Sequence, residues 1–142
     1  MRMVLAALVA LGVSGAALAA PGVKPGYWET TSRVLSPAHT VDTERRCVTQ
    51  EQVRKFMSCY INHHYDCTCS EDVVGEGKVM FKGQCVDRKK GSKVNVVGVG
   101  TYTDGSLSMS ANALFKIFGI PMAAEATMEA KLLSETCPAP AN

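Results

Sequence analysis

Between Cys59 and Cys85 the chain reads CYINHHYDCTCSEDVVGEGKVMFKGQC, and no other stretch constrains the fold so tightly. It holds four of the six cysteines, two of the three histidines and a Gly75-Glu76-Gly77 turn between runs of strand character, Ser70–Val74 and Val79–Asp87. A hairpin looping through Glu76–Lys78 places Cys69 opposite Cys85. A loop one residue earlier, Gly75–Gly77, places Cys67 there instead. Opposed residues in an antiparallel pair have Cβ atoms about 4.5–5.5 Å apart, which a disulfide closes with modest adjustment. The expectation is a stapled β-hairpin in which Cys85 is bonded to Cys69 or to Cys67.

That expectation needs an oxidising compartment, and the start of the chain supplies one. Residues 1–20, MRMVLAALVALGVSGAALAA, carry Arg2 as a positive n-region, Met3–Val13 as an apolar h-region and Ala17-Leu18-Ala19 as an A-x-A site. This reads as a secretory signal peptide over residues 1–19, leaving residues 20–142 as a single exported β domain. The apolar run is too short to span a bilayer comfortably and is broken by Gly12, Ser14 and Gly15. A periplasmic or secreted location follows. All six cysteines (Cys47, Cys59, Cys67, Cys69, Cys85 and Cys137) lie after the leader, and an even count in an exported chain favours disulfides with no free thiol.

Charge excludes some partners. A formal net charge of +2 does not point to nucleic acid or to an anionic membrane. Arg88, Lys89, Lys90 and Lys93 cluster around Gly91, in the manner of a solvated turn.

Taken in order, Tyr27–Leu35 reads as a strand with Trp28, Thr30, Ser32 and Val34 on one face, and Trp28 is expected in the core. Ser36-Pro37 breaks it, and His39–Val48 returns as a polar strand suited to a sheet edge. Thr49-Gln50-Glu51-Gln52 fits a capping box, opening a short helix over about residues 50–60 whose stripe is Val53, Phe56, Met57 and Tyr60. Lys93–Thr103 is a further strand. Asp104-Gly105 is the strongest short hairpin signal, and a two-residue loop there pairs Tyr102 with Leu107, Gly100 with Met109 and Gly98 with Ala111. The glycines then leave room for Met109 and its neighbours. Ala113–Met122 is open between strand, loop and helical turn, because Gly119-Ile120-Pro121 forces a break. In the last run, Ala124, Ala126, Met128, Ala130 and Leu132 alternate with polar residues. Alanine content favours a helix there, but the period is two, so a strand is expected.

The sharpest chemical candidate is His63-His64-x-Asp66-Cys67-x-Cys69, a donor set suited to zinc or copper. Its spacing matches no standard zinc pattern, and disulfides consume thiolates, so metal is only the alternative reading for His63, His64 and Asp66. A redox role for Cys67 and Cys69 would need both thiols free. The three histidines have no recognisable hydrolase partners, and the glycine pairs lack the spacing of nucleotide loops. No catalytic residue and no cofactor is expected. Leu114–Met122 is the longest unexplained apolar stretch. If the domain has a recognition surface, it is expected there, at Phe115, Phe118 and Met122. A small hydrophobic-ligand binder would instead need a cavity lined by Met109, Met128 and Phe115.

Lys24-Pro25-Gly26-Tyr27-Trp28-Glu29 resembles the KPGxWE start of a family of small exported bacterial proteins of unknown function. The likeness continues through Cys47-Val48-Thr49 with Glu51, a cysteine sixteen to eighteen residues before Cys85, the Tyr102–Gly105 hairpin and a cysteine near the C-terminus. The resemblance implies that Cys47, one of Cys67 or Cys69, Cys85 and Cys137 belong to the family pattern. Cys59 and the other member of the C-x-C then form an added pair, tying the helix to the next strand. In place of the usual glycine-containing turn near the end stands Thr136-Cys137. The family brings no activity or ligand with it.

The fold expected is mainly β: an antiparallel sheet of about seven strands, a meander or half-barrel, with one short helix and disulfide staples. The function expected is that of a non-catalytic envelope domain, structural or protein-binding, whose partner is an envelope protein or an apolar ligand.

Overall fold

The computed structural model describes residues 22–60 and 63–140. The signal peptide expected over residues 1–19 lies outside them.

Seven strands form one antiparallel sheet: β1 (Gly26–Ser36), β2 (Thr40–Val48), β3 (Tyr65–Gly75), β4 (Lys78–Asp87), β5 (Lys93–Tyr102), β6 (Ser106–Ile117) and β7 (Ile120–Ser134). Their order is β2-β1-β7-β6-β5-β4-β3. The last five strands are a meander, and the β1–β2 hairpin joins it with β1 against β7. The sheet is open, with β2 and β3 at its two edges. The single helix among the described residues, α1 (Gln50–Phe56), lies in the connection that joins those edges. That connection therefore crosses one face of the sheet.

Alternation decides which face it covers. The registers put Trp28, Leu132, Leu107, Met109, Tyr102, Val96, Val79, Phe81 and Cys85 on one side, here called the inner face. Most of these are buried, together with Val53, Met57 and Cys59 from the crossing segment. Burying a side chain of this size stabilises the fold by about 1.5–3 kcal/mol. Trp28 is 3% exposed, and its Nε1–H donates to the Lys24 carbonyl at 3.0 Å, so its polar handle is satisfied. The outer face is mainly polar and carries a cross-strand ion ladder. Glu29 accepts from Arg45 of β2 at 2.7 Å and meets Lys131 of β7 at 2.9 Å.

The helix starts as its sequence dictates. Thr49 accepts from the Gln52 amide, and the Gln52 side chain accepts from the Thr49 amide, a complete capping box. It ends sooner than expected, at Phe56 rather than near residue 60. Val53 and Met57 are buried as the stripe requires, but Tyr60 has left the helix and is 38% exposed. Cys59 is the reason: it must turn toward β3 to bond Cys69.

The pairing expected at Asp104-Gly105 is present residue for residue, with Tyr102 opposite Leu107, Gly100 opposite Met109 and Gly98 opposite Ala111. A Cβ on Gly98 would run into the Phe81 ring, and one on Gly100 would lie 2.7 Å from Met109 Cγ. These two glycines are where the large side chains of neighbouring strands lie across the sheet.

The β3–β4 hairpin corrects both loop registers. Its turn has two residues, Glu76 and Gly77, each with positive φ (53° and 74°), which is the type I′ pattern. A plain ladder from that turn would miss Cys67–Cys85. A bulge between Cys69 and Glu71 takes up one residue and brings Cys67 directly opposite Cys85.

All six cysteines are paired: Cys47–Cys137, Cys59–Cys69 and Cys67–Cys85, with Cα separations of 5.7, 5.9 and 4.0 Å. The Cys59–Cys69 bond ties the end of the helical segment to β3, as the resemblance implies for the added pair. Gly83 makes room for it, since a Cβ there would meet Cys59 Sγ and the Thr68 carbonyl.

Candidate recognition surface

The segment left open in the sequence, 113–122, resolves into strand, turn and strand. Phe118 and Gly119 both have positive φ (50° and 80°), so a second two-residue turn of the type I′ pattern closes β6 onto β7. Pro121 is not a break. It sits opposite Lys116 in the ladder. On its other side β7 has no neighbour, because pairing with β1 begins only at Glu125. A proline lacking its N–H loses nothing at such a place.

The same registers show that this hairpin overhangs the sheet. β5 pairs with β6 no farther than Leu114, and β1 reaches β7 no farther than Glu125. Residues 115–122 therefore project as a two-stranded arm. Phe115 faces Met122 directly and Ile117 faces Ile120. Phe118 stands at the tip, 100% exposed, with Ile120 62% and Ile117 46% exposed beside it and Leu114, at the base of the arm, 58% exposed. The structure thus brings Phe115, Phe118 and Met122 onto one projection. Ile117 and Ile120 join them there; both lie inside the expected stretch Leu114–Met122, though sequence reasoning does not single them out. The signal was available: an apolar residue on each side of a Phe-Gly pair is itself a hairpin pattern.

The other candidate residues separate. His63 and His64 lie close, with ring centroids 3.8 Å apart, and both are exposed. Asp66 points to the outer face and is held by Arg88 at 2.6 Å. Cys67 and Cys69 point inward. Among the described residues the donor atoms that converge are the sulfurs of Cys59, Cys67 and Cys85, within 4.8 Å of one another, and each is bonded in a disulfide.

Met109, Met128 and Phe115 share the inner face but not a cavity. Met109 is in the core, and Phe115 is on the arm. Met128 borders an apolar cavity of about 30 Å³ between α1 and the sheet, beside Trp28, Val53 and Met57. That is close to the volume of one water molecule and far below the roughly 300–1,000 Å³ of ligand pockets. A larger open hollow of about 220 Å³ lies nearer the arm, lined by Tyr60, Phe81, Val96, Ala113 and Ala124.

Displaced pKa values occur where ion pairs or amides surround a charge. Hydrogen bonds from Lys131 and then Arg45 hold the Glu29 carboxyl below its usual range. The backbone amides of Lys90 and Lys89, donating at 2.8 Å each, do the same for Asp87. Glu135, hydrogen-bonded to Lys24, raises that ammonium. The three sites are spread over the outer face, the β4–β5 turn and the opposite end of the sheet.

Fold and surface together define a disulfide-stapled, open antiparallel sheet with one crossing helix and one apolar arm. Residues 23–137 match a family described as a protein of unknown function (DUF3617), and the chain belongs to that family. No curated protein and no solved structure matches it. Among the described residues no helix is long and apolar enough to cross a membrane.

Proposed function

We propose that the chain is a non-catalytic exported domain that binds a partner through its β6–β7 arm, with Phe115, Phe118 and Met122 in the contact. One observation carries the reading: the arm extends the sheet's apolar face past its neighbouring strands, leaving Phe118 fully exposed. A two-stranded ribbon without flanking strands has little stability of its own. An apolar tip on such a ribbon adds nothing to the core, and exposed apolar patches rimmed by polar residues mark interaction sites. Export is supported by the leader-like first residues and by the pairing of every cysteine, which suits an oxidising compartment. The non-catalytic reading is supported by the dispersal of the perturbed titratable groups, since active sites gather them in one cleft.

The test replaces Phe115 and Phe118 with Ser in the oxidised chain. A partner retained by the parent in pull-down or co-purification is lost by the variant, while denaturation stays cooperative. Unfolding of the variant would assign these side chains to the core and end the proposal.

A second reading, a small apolar ligand held on the inner face, is favoured by the 220 Å³ hollow. Organic extraction of the purified protein followed by mass spectrometry decides it: a stoichiometric lipid or other apolar molecule supports it, and a clean extract removes it.

A further inference from the structure

The arm is not the only feature at its end of the sheet. Because successive strands reverse direction, the β4–β5 turn falls at the same end as the arm. That turn carries Arg88, Lys89 and Lys90; Lys93 opens β5, and Lys116 lies on the arm itself. One open hollow of about 620 Å³ joins the two regions, bordered by Lys93 and Lys116 together with Leu114, Phe115, Pro121 and Met122. No carboxylate lines it.

The two acids nearest the β4–β5 turn are already engaged, and the next, Glu125, lies behind the arm opposite Asn112. Asp66 holds Arg88 at 2.6 Å, and the Asp87 carboxylate accepts from the Lys89 and Lys90 amides. Among the described residues, Lys89, Lys93 and Lys116 enter no ion pair, Lys90 feels the Asp87 carboxylate without a close contact, and all four are exposed. In a chain of net charge only +2, this is strong segregation of charge to one end. The whole-chain balance conceals it.

We infer that this end docks on the surface of an anionic phospholipid bilayer, Phe118, Ile117 and Ile120 entering the interface while the four lysines meet lipid phosphates. The inference rests on the arm being a recognition surface and names its partner. Area favours a bilayer over a protein. A specific protein interface takes about 800 Å² from each partner, which a tip of a few residues cannot supply. Shallow insertion needs only an apolar point with cations behind it, and the two terms act together.

The experiment is co-sedimentation of the oxidised full chain with vesicles of phosphatidylglycerol and phosphatidylcholine, and with phosphatidylcholine alone. Binding is expected to the mixed vesicles only, weakening as salt rises. At about fivefold per lysine, the Lys93→Gln/Lys116→Gln variant loses roughly 25-fold in partitioning. Phe118→Ser loses about tenfold or more. Equal, Phe118-dependent binding to both vesicle types would overturn the anionic partner while leaving the arm as a binding surface. Failure to bind either vesicle, with an arm-dependent protein partner still captured, would overturn the lipid inference alone. Absence of any arm-dependent binding would remove both proposals.

Discussion

The two ends of the β6–β7 hairpin share one pattern and live in different surroundings. From Leu107 to Ile117 every second residue of β6 is apolar and faces inward. At the Leu107 end α1 lies above, β1 and β5 lie to either side, and Leu107 and Met109 are 6% and 7% exposed. At the Ile117 end the flanking strands have stopped, the helix does not reach, and the side chains stand in solvent. Alternation specifies a strand and its apolar face. It does not specify whether anything covers that face. Cover comes from long-range features: a helix capped at Thr49, a crossing that joins two distant sheet edges, and disulfides that hold both in place. The covered end should therefore govern stability, and the open end should govern recognition.

The largest effect should come from the covered end. Trp28, on the inner face of β1, is 3% exposed beneath the crossing segment. Trp28→Ala is expected to lower stability by about 3–5 kcal/mol, read from denaturant unfolding of the oxidised protein. A loss under about 1 kcal/mol would mean that the inner face is not the core, and the comparison would fail at its base. Next comes the hairpin staple. Replacing both Cys67 and Cys85 with Ala should cost about 2–5 kcal/mol. If instead the variant matched the parent, the bulge and the turn alone would be setting the β3–β4 register.

How much of this was legible in the sequence follows the range of the interactions. Local chemistry read well: the Thr49–Gln52 capping box, the Asp104-Gly105 turn with its pairing, and strand period over alanine propensity in β7. What could not be read were events that depend on a neighbour. The bulge at Ser70 is invisible because nothing in Cys69-Ser70-Glu71 asks for it; Cys67 opposite the buried Cys85 does. Pro121 reads as a stop in the sequence because its tolerance depends on β1 ending one strand away. Helix α1 ends at Phe56, short of the residue 60 its stripe predicts, because Cys59 is drawn off by Cys69. At the proposed recognition surface, Phe115, Phe118 and Met122 are legible as unexplained apolar residues, whereas their projection as an arm is a property of four strands of unequal length. Arg88, Lys89, Lys90 and Lys93 read as a solvated turn, and only the sheet topology shows that Lys116 lies at the same end.

Smaller effects sharpen the comparison. Thr49→Ala removes the N-cap of the covering helix and should cost about 0.5–2 kcal/mol. If cover is what distinguishes the two ends, the same change should also raise hydrogen exchange at Leu107 and Met109 more than at Phe115. Equal acceleration at both would argue against a local role for α1. On the outer face, Glu29 is bonded by Lys131 and Arg45 and its folded pKa lies below its ordinary value of 4.5. Its contribution is present above that value and is lost as pH falls through the lower folded value. The parent should therefore lose stability below about pH 4.5, and Glu29→Gln should flatten that acid limb, modestly, because both of its cationic partners are exposed to solvent and salt. Midpoints measured against pH at low salt test this; an unchanged acid limb in the variant would assign it to other carboxylates.

The smallest expected change in stability is the most informative about function. Phe118 makes no buried contact that its removal could take away: it is fully exposed at a turn whose shape depends on positive φ at Phe118 and Gly119. A phenylalanine is an unfavourable choice for a positive-φ position, where asparagine, aspartate or glycine sits with less strain. Nor does a solvated ring help solubility. Phe118→Ser should therefore leave stability within about 0.5 kcal/mol of the parent, and Phe118→Asn should raise it slightly. Met109→Ser, nine residues back along the same hairpin on its inner face toward the covered end, should be destabilising by comparison. A side chain neutral or costly to the fold at one end of a hairpin, and essential at the other, is what separate roles for the two ends require. If Phe118→Ser instead cost as much as a core substitution, the arm would be packed against something in the folded chain, and the distinction between covered and open ends would be lost.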